Sequence, residues 1–373
     1  MKEFLKRNLG IEDVFLLSFC FISLLTIYLS KPDFLSNSAL FLKQTFFTFK
    51  KQIWHFTGFF PVCFLLWIIS LFHLLIFYRF VEKQNFSLNF SFAFLKNSLY
   101  FLKTFFLVGL TFSFVLLLLG IWTDSLKERV LNKEFLRLEK KVFGTSLTLW
   151  FNFPSNPLKK IFNFFETLFV ESFLFLGDLI TVSFFVFYFS KNERLFKGFL
   201  ISFFLVLLLA LPFWYFFPVH SFFNGVLFGP EKNLLLAELN SYSPTQKLSS
   251  LQKDLHDQQS PNFPISTFPS MHWAWALLLV YWWKKLNKKS LIFFLPWFIL
   301  ATTGTIYVGA HYLFDGLLAI PLALFSIFLS EFLVKEENKF FLPNEKERKF
   351  KEGLRNFLIW PLEKEWETIK RLV

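Results

Sequence analysis

The sequence predicts an all-α, polytopic integral membrane protein, a helical bundle of about eight transmembrane helices. Three observations predict it. Of the 373 residues 54% are hydrophobic, and the mean hydropathy is +0.48. The apolar runs are far longer than the roughly ten-residue alternating segments of a transmembrane barrel, so backbone amides in lipid must be satisfied within helices. The 39 Lys and Arg sit in short connections and tails between those runs, where they act as topology signals beside anionic lipid. A net charge of +12 gathered into a stripe with stacking aromatics would suit nucleic acid; scattered in this way it does not. Cys20 and Cys63 both lie inside apolar runs, with no Cys-x-x-Cys spacing, which argues against a disulfide framework.

The elements follow in order. Lys2, Lys6 and Arg7 precede an apolar run over 11–30, longer than a signal-peptide core and lacking a small-residue cleavage site. It reads as an uncleaved first span with its amino end in the cytoplasm. Residues 31–57 mix Lys43, Lys50 and Lys51 with Phe and Trp54, an interfacial amphipathic segment. A second span covers 58–80, and a basic connection with Arg79, Lys83 and Lys96 leads to a third over 99–122. Over 123–160, charges of both signs alternate with Leu126, Val130, Leu131, Phe135, Leu136, Leu138 and Val142 near the helical period, predicting an amphipathic surface helix. Its basic content is high for an outside connection. The run 161–190 forms a fourth span containing Glu166, Glu171 and Asp178, whose structural or functional role the sequence leaves open. A fifth span follows the basic turn of Lys191, Arg194 and Lys197 and ends near Tyr215. The stretch to Ser266, rich in Ser, Gln, Asp and Pro, reads as the longest loop without helical signal. Three spans remain, over 271–283, 291–308 and 311–334, before a Lys- and Glu-rich tail.

The basic turn 284–289 and the basic tail place both termini in the cytoplasm, and the less basic 218–270 stretch outside it. The site described next then faces the periplasm if the membrane is a bacterial inner membrane, or a lumen in a eukaryote.

Two short stretches carry chemistry: Phe268-Pro269-Ser270-Met271-His272, and Gly304-Thr305 followed by His311 and Asp315. The hairpin between them has limbs of roughly 15 to 20 residues, enough to cross a bilayer core of about 30 Å and return. His272 and His311 therefore emerge at one membrane face. Asp315, four residues beyond His311, shares its helix face and would fix its tautomer, leaving the other ring nitrogen as nucleophile or base. His272 can serve as acid for a leaving oxygen. Ser270 and Thr305 offer hydroxyls, and the helix starting near Met271 points amides at the same space, which suits an anion such as phosphate. Read blandly, the same residues are a helix cap and a buried His-Asp pair. A divalent metal on His272, His311, Asp315 and His220 is a further alternative, without a His-Glu-x-x-His run to support it. His55, His73 and His256 lack comparable partners.

These two stretches resemble the second and third signature motifs of the type 2 phosphatidic acid phosphatase superfamily, written Pro-Ser-Gly-His and Ser-Arg-x5-His-x3-Asp. Thr305-Ile306-Tyr307 and His311-Tyr312 look closer to the inositolphosphotransferase branch, typified by inositol phosphorylceramide synthase. The resemblance implies a six-helix phosphatase-like core over 95–335, with 1–94 adding two spans and 336–373 a charged cytoplasmic tail. It implies a lipid phosphatase or lipid head-group phosphotransferase: His311 forms a phosphohistidine, Asp315 orients it and His272 moves the proton. Ser270, Thr305 and His220 become substrate-binding, the substrate a lipid phosphate or phospholipid in the bilayer, with no metal or cofactor. The first motif, Lys-x6-Arg-Pro, has no match; the segment with Pro218 and His220 stands there, and Gly304 and Thr305 replace the Ser and Arg of the third. A transporter or membrane scaffold that kept the fold without activity is the alternative. The sequence assigns no oligomeric state.

Overall fold

A computed structural model describes residues 11–30, 88–190, 192–259 and 267–340. The expected second span over 58–80, the segment 31–57 and nearly all of the tail lie outside these residues. Helices make up the architecture: α1 (Ile11–Ser30), α2 (Leu88–Leu126), α3 (Asn132–Phe143), α4 (Leu147–Asn152), α5 (Lys159–Leu174), α6 (Leu176–Phe189), α7 (Glu193–Phe216), α8 (Leu236–Asn240), α9 (Gln246–Gln259), α10 (Met271–Leu286), α11 (Leu291–Val308) and α12 (Leu313–Phe340). Among the described residues five helices are long and apolar enough to cross a membrane, in α1, α2, α7, α11 and α12; the bent pair α5–α6 makes a sixth if taken as one span. The protein is thus an all-helical, polytopic membrane protein.

Helix α10 is the hub. It packs against α6, α7, α11 and α12, and Ala274, Ala276, Leu278, Leu279 and Trp282 along it are buried. Sixteen residues reach only about 24 Å, so the helix that begins at the candidate site is shorter than α7, α11 and α12 and is enclosed by its neighbours. Close backbone approach seats it. A Cβ on Gly316 of α12 would lie 2.3 Å from the Trp273 indole, and one on Gly304 of α11 would lie 2.3 Å from the Phe169 carbonyl of α5. Gly304 stands where the resemblance expects Ser because α11 and α5 touch there.

Polar ends orient the bundle. At one end Lys197 pairs with Glu337 (2.6 Å) and Glu12 (3.7 Å), and Lys103 with Asp13 (2.6 Å), so the start of α1 and the end of α12 meet. The ionisable groups here lose hydration and are compensated by opposite charge. The α10 N-terminus and the turn before α12 lie at the other end of α7, beside residues 219–223.

Four expectations change. The stretch 123–160 is not one surface helix: Gly144, at φ +77°, closes α3, and α4 follows after a turn. The run 161–190 bends by 45° between α5 and α6, with Asp178 in the first turn of α6, where the helix dipole favours a carboxylate. The polar stretch after residue 217 is largely helical, including α9; Leu248, Leu251 and Leu255 give it an apolar stripe against the core. In the sequence, polar residues outnumber these three and mask the spacing. Finally, His311 lies in the turn before α12, not on that helix.

The α5–α11 contact is directly testable. Gly304→Ala is expected to lower the thermal midpoint of the detergent-solubilised protein by several degrees, the scale of an overpacking cost of about 1–3 kcal/mol. Gly120→Ala, where a Cβ meets nothing within 4 Å, is expected not to lower it.

Candidate active site

Ser270 caps α10, its Oγ accepting from the Trp273 backbone N–H at 3.3 Å, the arrangement that satisfies an orphan donor of a first turn. Its own N–H donates to the Asp315 carbonyl at 2.9 Å, which ties the start of α10 to α12. His272 is the second residue of α10, so its ring stands over the helix N-terminus. Opposite it, α11 closes at Gly309 with φ +82°, a left-handed cap that suits glycine. The backbone N–H groups of Ala310 and His311 both donate to the Thr305 carbonyl, at 2.9 and 3.2 Å. This tight turn aims the His311 ring back toward α10.

The two imidazoles touch. His272 Nδ1 is 2.9 Å from His311 Nε2. His311 Nδ1 faces the Thr267 carbonyl at 3.2 Å and Asp315 Oδ2 at 3.4 Å. Both of these are acceptors when the carboxylate is ionised, so Nδ1 carries the hydrogen and Nε2 presents its lone pair. It follows that His272 donates its Nδ1–H to His311. The i, i+4 pair expected from spacing forms, although His311 is not helical, and a main-chain carbonyl shares the task given to Asp315 alone. His311 and Asp315 are buried and His272 is half-buried under Phe173, whose ring centroid is 4.9 Å away. Burial lowers the His311 imidazole from its ordinary value to about 3, against a smaller upward pull from the Thr267 carbonyl; the ring is neutral at pH 7.

The other expected site residues fare differently. Thr305 is buried, its hydroxyl donating to the Thr302 carbonyl (2.7 Å) and accepting from the Trp273 indole N–H (2.9 Å). It therefore has no hydrogen to offer a substrate in this arrangement. Ser270 retains its O–H, since the cap uses only an acceptor position. His220 is brought to the same end, its backbone N–H held by Asn132 Oδ1 at 2.8 Å. His256 finds Asn224 Oδ1 at 2.9 Å. Among the described residues no group of three or more His, Cys, Asp and Glu forms a candidate metal-ligand set.

Sequence reasoning left the role of Glu166 open and missed Gln252 and Glu139. Glu166 accepts from Tyr307 Oη (2.7 Å) and from Thr245 Oγ1, fastening the N-cap of α9 to α11. Gln252 Nε2 donates to the Val308 carbonyl at 2.8 Å. Helix α9 is thus strapped across the end of α11, beside the site. Glu139, three positions beyond Leu136 on the buried face of α3, also reaches the site region; a carboxylate on an apolar stripe was the available signal.

Residues 149–329 match the family model described as PAP2 superfamily. That part of the chain belongs to the PAP2 superfamily. No curated protein and no solved structure matches the chain. The PAP2 region runs from within α4 into α12 and includes His220, Ser270, His272, Thr305, His311 and Asp315, while α3 precedes it.

Two outcomes follow from the site. Thr305→Val leaves the buried Trp273 N–H unpaired and is expected to cost about 1–3 kcal/mol of stability, whereas Thr305→Ser retains it. Because the folded His311 binds its proton more weakly than a free imidazole of about 6.5, its lone pair stays available as pH falls through that value. Protonation of the His311 ring, followed by ring-nitrogen NMR across a pH titration, is expected well below pH 6.5.

Proposed function

We propose that this PAP2-superfamily protein is a membrane enzyme that transfers the phosphoryl group of a lipid phosphate or phospholipid through a phosphohistidine at His311. The observation that carries the reading is the buried pair, His272 Nδ1 to His311 Nε2 at 2.9 Å, with acceptors on His311 Nδ1. A substrate phosphate enters between the rings and replaces their mutual hydrogen bond. Its negative charge beside His272 favours the doubly protonated imidazolium. The His311 Nε2 lone pair forms the N–P bond as the P–O bond to the lipid breaks, and the departing alkoxide takes a proton from His272. Water or an alcohol then gives its proton back to His272 as its oxygen bonds phosphorus, and the electron pair of the N–P bond returns to Nε2. Asp315 and the Thr267 carbonyl steady the positive charge that His311 carries in between.

Among the described residues no Lys or Arg bonds to His272, His311 or Asp315. The positive end of α10 and the O–H of Ser270 supply the nearest electrophilic groups. Water as acceptor gives a lipid phosphatase, and an alcohol gives head-group transfer of the inositol phosphate kind, toward which Thr305-Ile306-Tyr307 and His311-Tyr312 lean. We place the catalytic core at 95–335 within an eight-span bundle. The basic residues Lys284, Lys285, Lys288 and Lys289 mark the far, cytoplasmic end of α10, so His272 faces the periplasm or a lumen and both termini the cytoplasm.

The test is phosphate release and head-group exchange from phosphatidic acid, diacylglycerol pyrophosphate, polyprenyl pyrophosphate and phosphatidylinositol by purified protein with chelator present. His311→Ala and His272→Ala are each expected to reduce turnover by at least about 10³-fold, with acid-labile label trapped on wild type alone. Well-folded wild type without turnover on any of the four would instead favour the non-enzymatic transporter or scaffold.

A further inference from the structure

Glu139 lies outside the PAP2 match and on a helix that carries none of the motif residues. The residue is 1% exposed. Oε2 accepts from Ser146 Oγ at 2.8 Å and the Leu147 N–H at 3.4 Å; Oε1 accepts from the Leu313 N–H at 2.9 Å. Leu313 is the first residue of α12, and its N–H is one of the four that a helix start leaves without an intrahelical partner. Next to it the Tyr312 N–H donates to Asp315 Oδ2 at 2.8 Å, a cap made from the third helical position. Two carboxylates from different helices therefore cap the same helix start. Asp315 Oδ2 has a second duty, since it is also the oxygen that faces His311 Nδ1.

That shared oxygen makes the cap consequential. If the Leu313 N–H loses its acceptor, the first turn of α12 frays. Asp315 then moves with it, and His311 loses one of the two Nδ1 acceptors that fix its tautomer, keeping only the Thr267 carbonyl. A surplus buried charge is a costly way to fill this space. Burial raises the Glu139 carboxyl, with Asp315 adding to the rise, and the hydrogen bonds from Leu313, Ser146 and Leu147 oppose it. An apolar residue here would leave the Leu313 N–H and the Ser146 hydroxyl without this acceptor, so the function of the carboxylate lies in the bonds it accepts.

We propose that Glu139 is a positioning residue for the His311 nucleophile, acting from α3 through the cap of α12 and Asp315. This rests on the phosphoryl-transfer reading for its kinetic part, and on geometry alone for its spectroscopic part.

The experiment compares Glu139→Ala with Glu139→Gln, whose side-chain oxygen can still accept from the Leu313 N–H. Glu139→Ala is expected to lower kcat by about 10²-fold, with KM changed less than about twofold because the lipid contacts are untouched. Glu139→Gln is expected to restore most of the rate. Ring nitrogen NMR on histidine-labelled protein, with His311 assigned by its loss in His311→Ala, is expected to show the Nδ1–H tautomer in wild type and Glu139→Gln and a mixture in Glu139→Ala. Wild-type kcat and ring signals in Glu139→Ala would overturn the proposal. Equal losses in both variants with unchanged ring signals would do so too, as a purely structural role predicts. If Glu139→Ala does not fold, Ser146→Ala replaces it, with about a threefold fall in kcat and a partial tautomer change expected; no change in either measurement rejects the idea. Inactive wild type removes the phosphoryl-transfer reading, while the ring signals still decide the role of Glu139.

Discussion

A polar turn buried among membrane helices must pair its backbone N–H groups, and in the turn from Gly309 to Leu313 five successive N–H donors find acceptors. Gly309 donates to the Ile306 carbonyl, Ala310 and His311 to that of Thr305, Tyr312 to the Asp315 carboxylate and Leu313 to the Glu139 carboxylate. The Gly309 carbonyl in turn accepts from Phe223. Without water to fall back on, each unpaired group would cost a kilocalorie or more. Satisfying all of them leaves the turn a single conformation, and that conformation presents His311 Nε2 to His272.

The same accounting explains why residues remote in sequence gather at this end. Thr148 donates to the Ile306 carbonyl at 2.8 Å, Glu166 holds Tyr307, and Gln252 holds the Val308 carbonyl. Each secures the last turn of α11 just before it releases into the His311 turn. The carbonyls at a helix end have no intrahelical donor, so α4 and α9 are recruited as donors. The strap of α9 is therefore a consequence of ending a membrane helix in a protein interior, and it also covers the neighbourhood of the site.

Electrostatically the site is spare. Its two imidazoles face each other at 2.9 Å, and the His311 ring is held by acceptors on its Nδ1 side. In a low-dielectric setting a fixed but unpaired cation would be expensive, whereas a helix N-terminus supplies oriented positive potential without that cost. The enclosed position of α10, beginning at Ser270, delivers such a terminus.

How much of this the sequence declared can be judged residue by residue. The pairing of His272 with His311 was legible because the two stretches are joined by a hairpin of membrane-crossing length, and helical rise alone returns the chain to its starting face. Asp315 beside His311 was legible from four-residue spacing, even though the reason given, a shared helix, gives way to a turn closed by Gly309. The contribution of α9 was not legible, because Leu248, Leu251 and Leu255 are diluted by Ser, Gln and Asp and the segment cannot bury itself alone. The bonding of the Thr305 hydroxyl was not legible, because a hydroxyl in a motif looks available until Trp273, from another helix, donates to it.

The sequence by itself determined that the chain is a helical membrane protein and that two histidines and a carboxylate share one face, since hydropathy, span length and spacing are local properties. Only the tertiary structure decided which ring nitrogen is free, which hydroxyl is already spent and which outside carboxylate holds the helix start. Those outcomes depend on donors and acceptors from segments as far apart as Glu139 and Leu313, and hydrogen-bond partnership across such separations is set by packing, which no local pattern encodes.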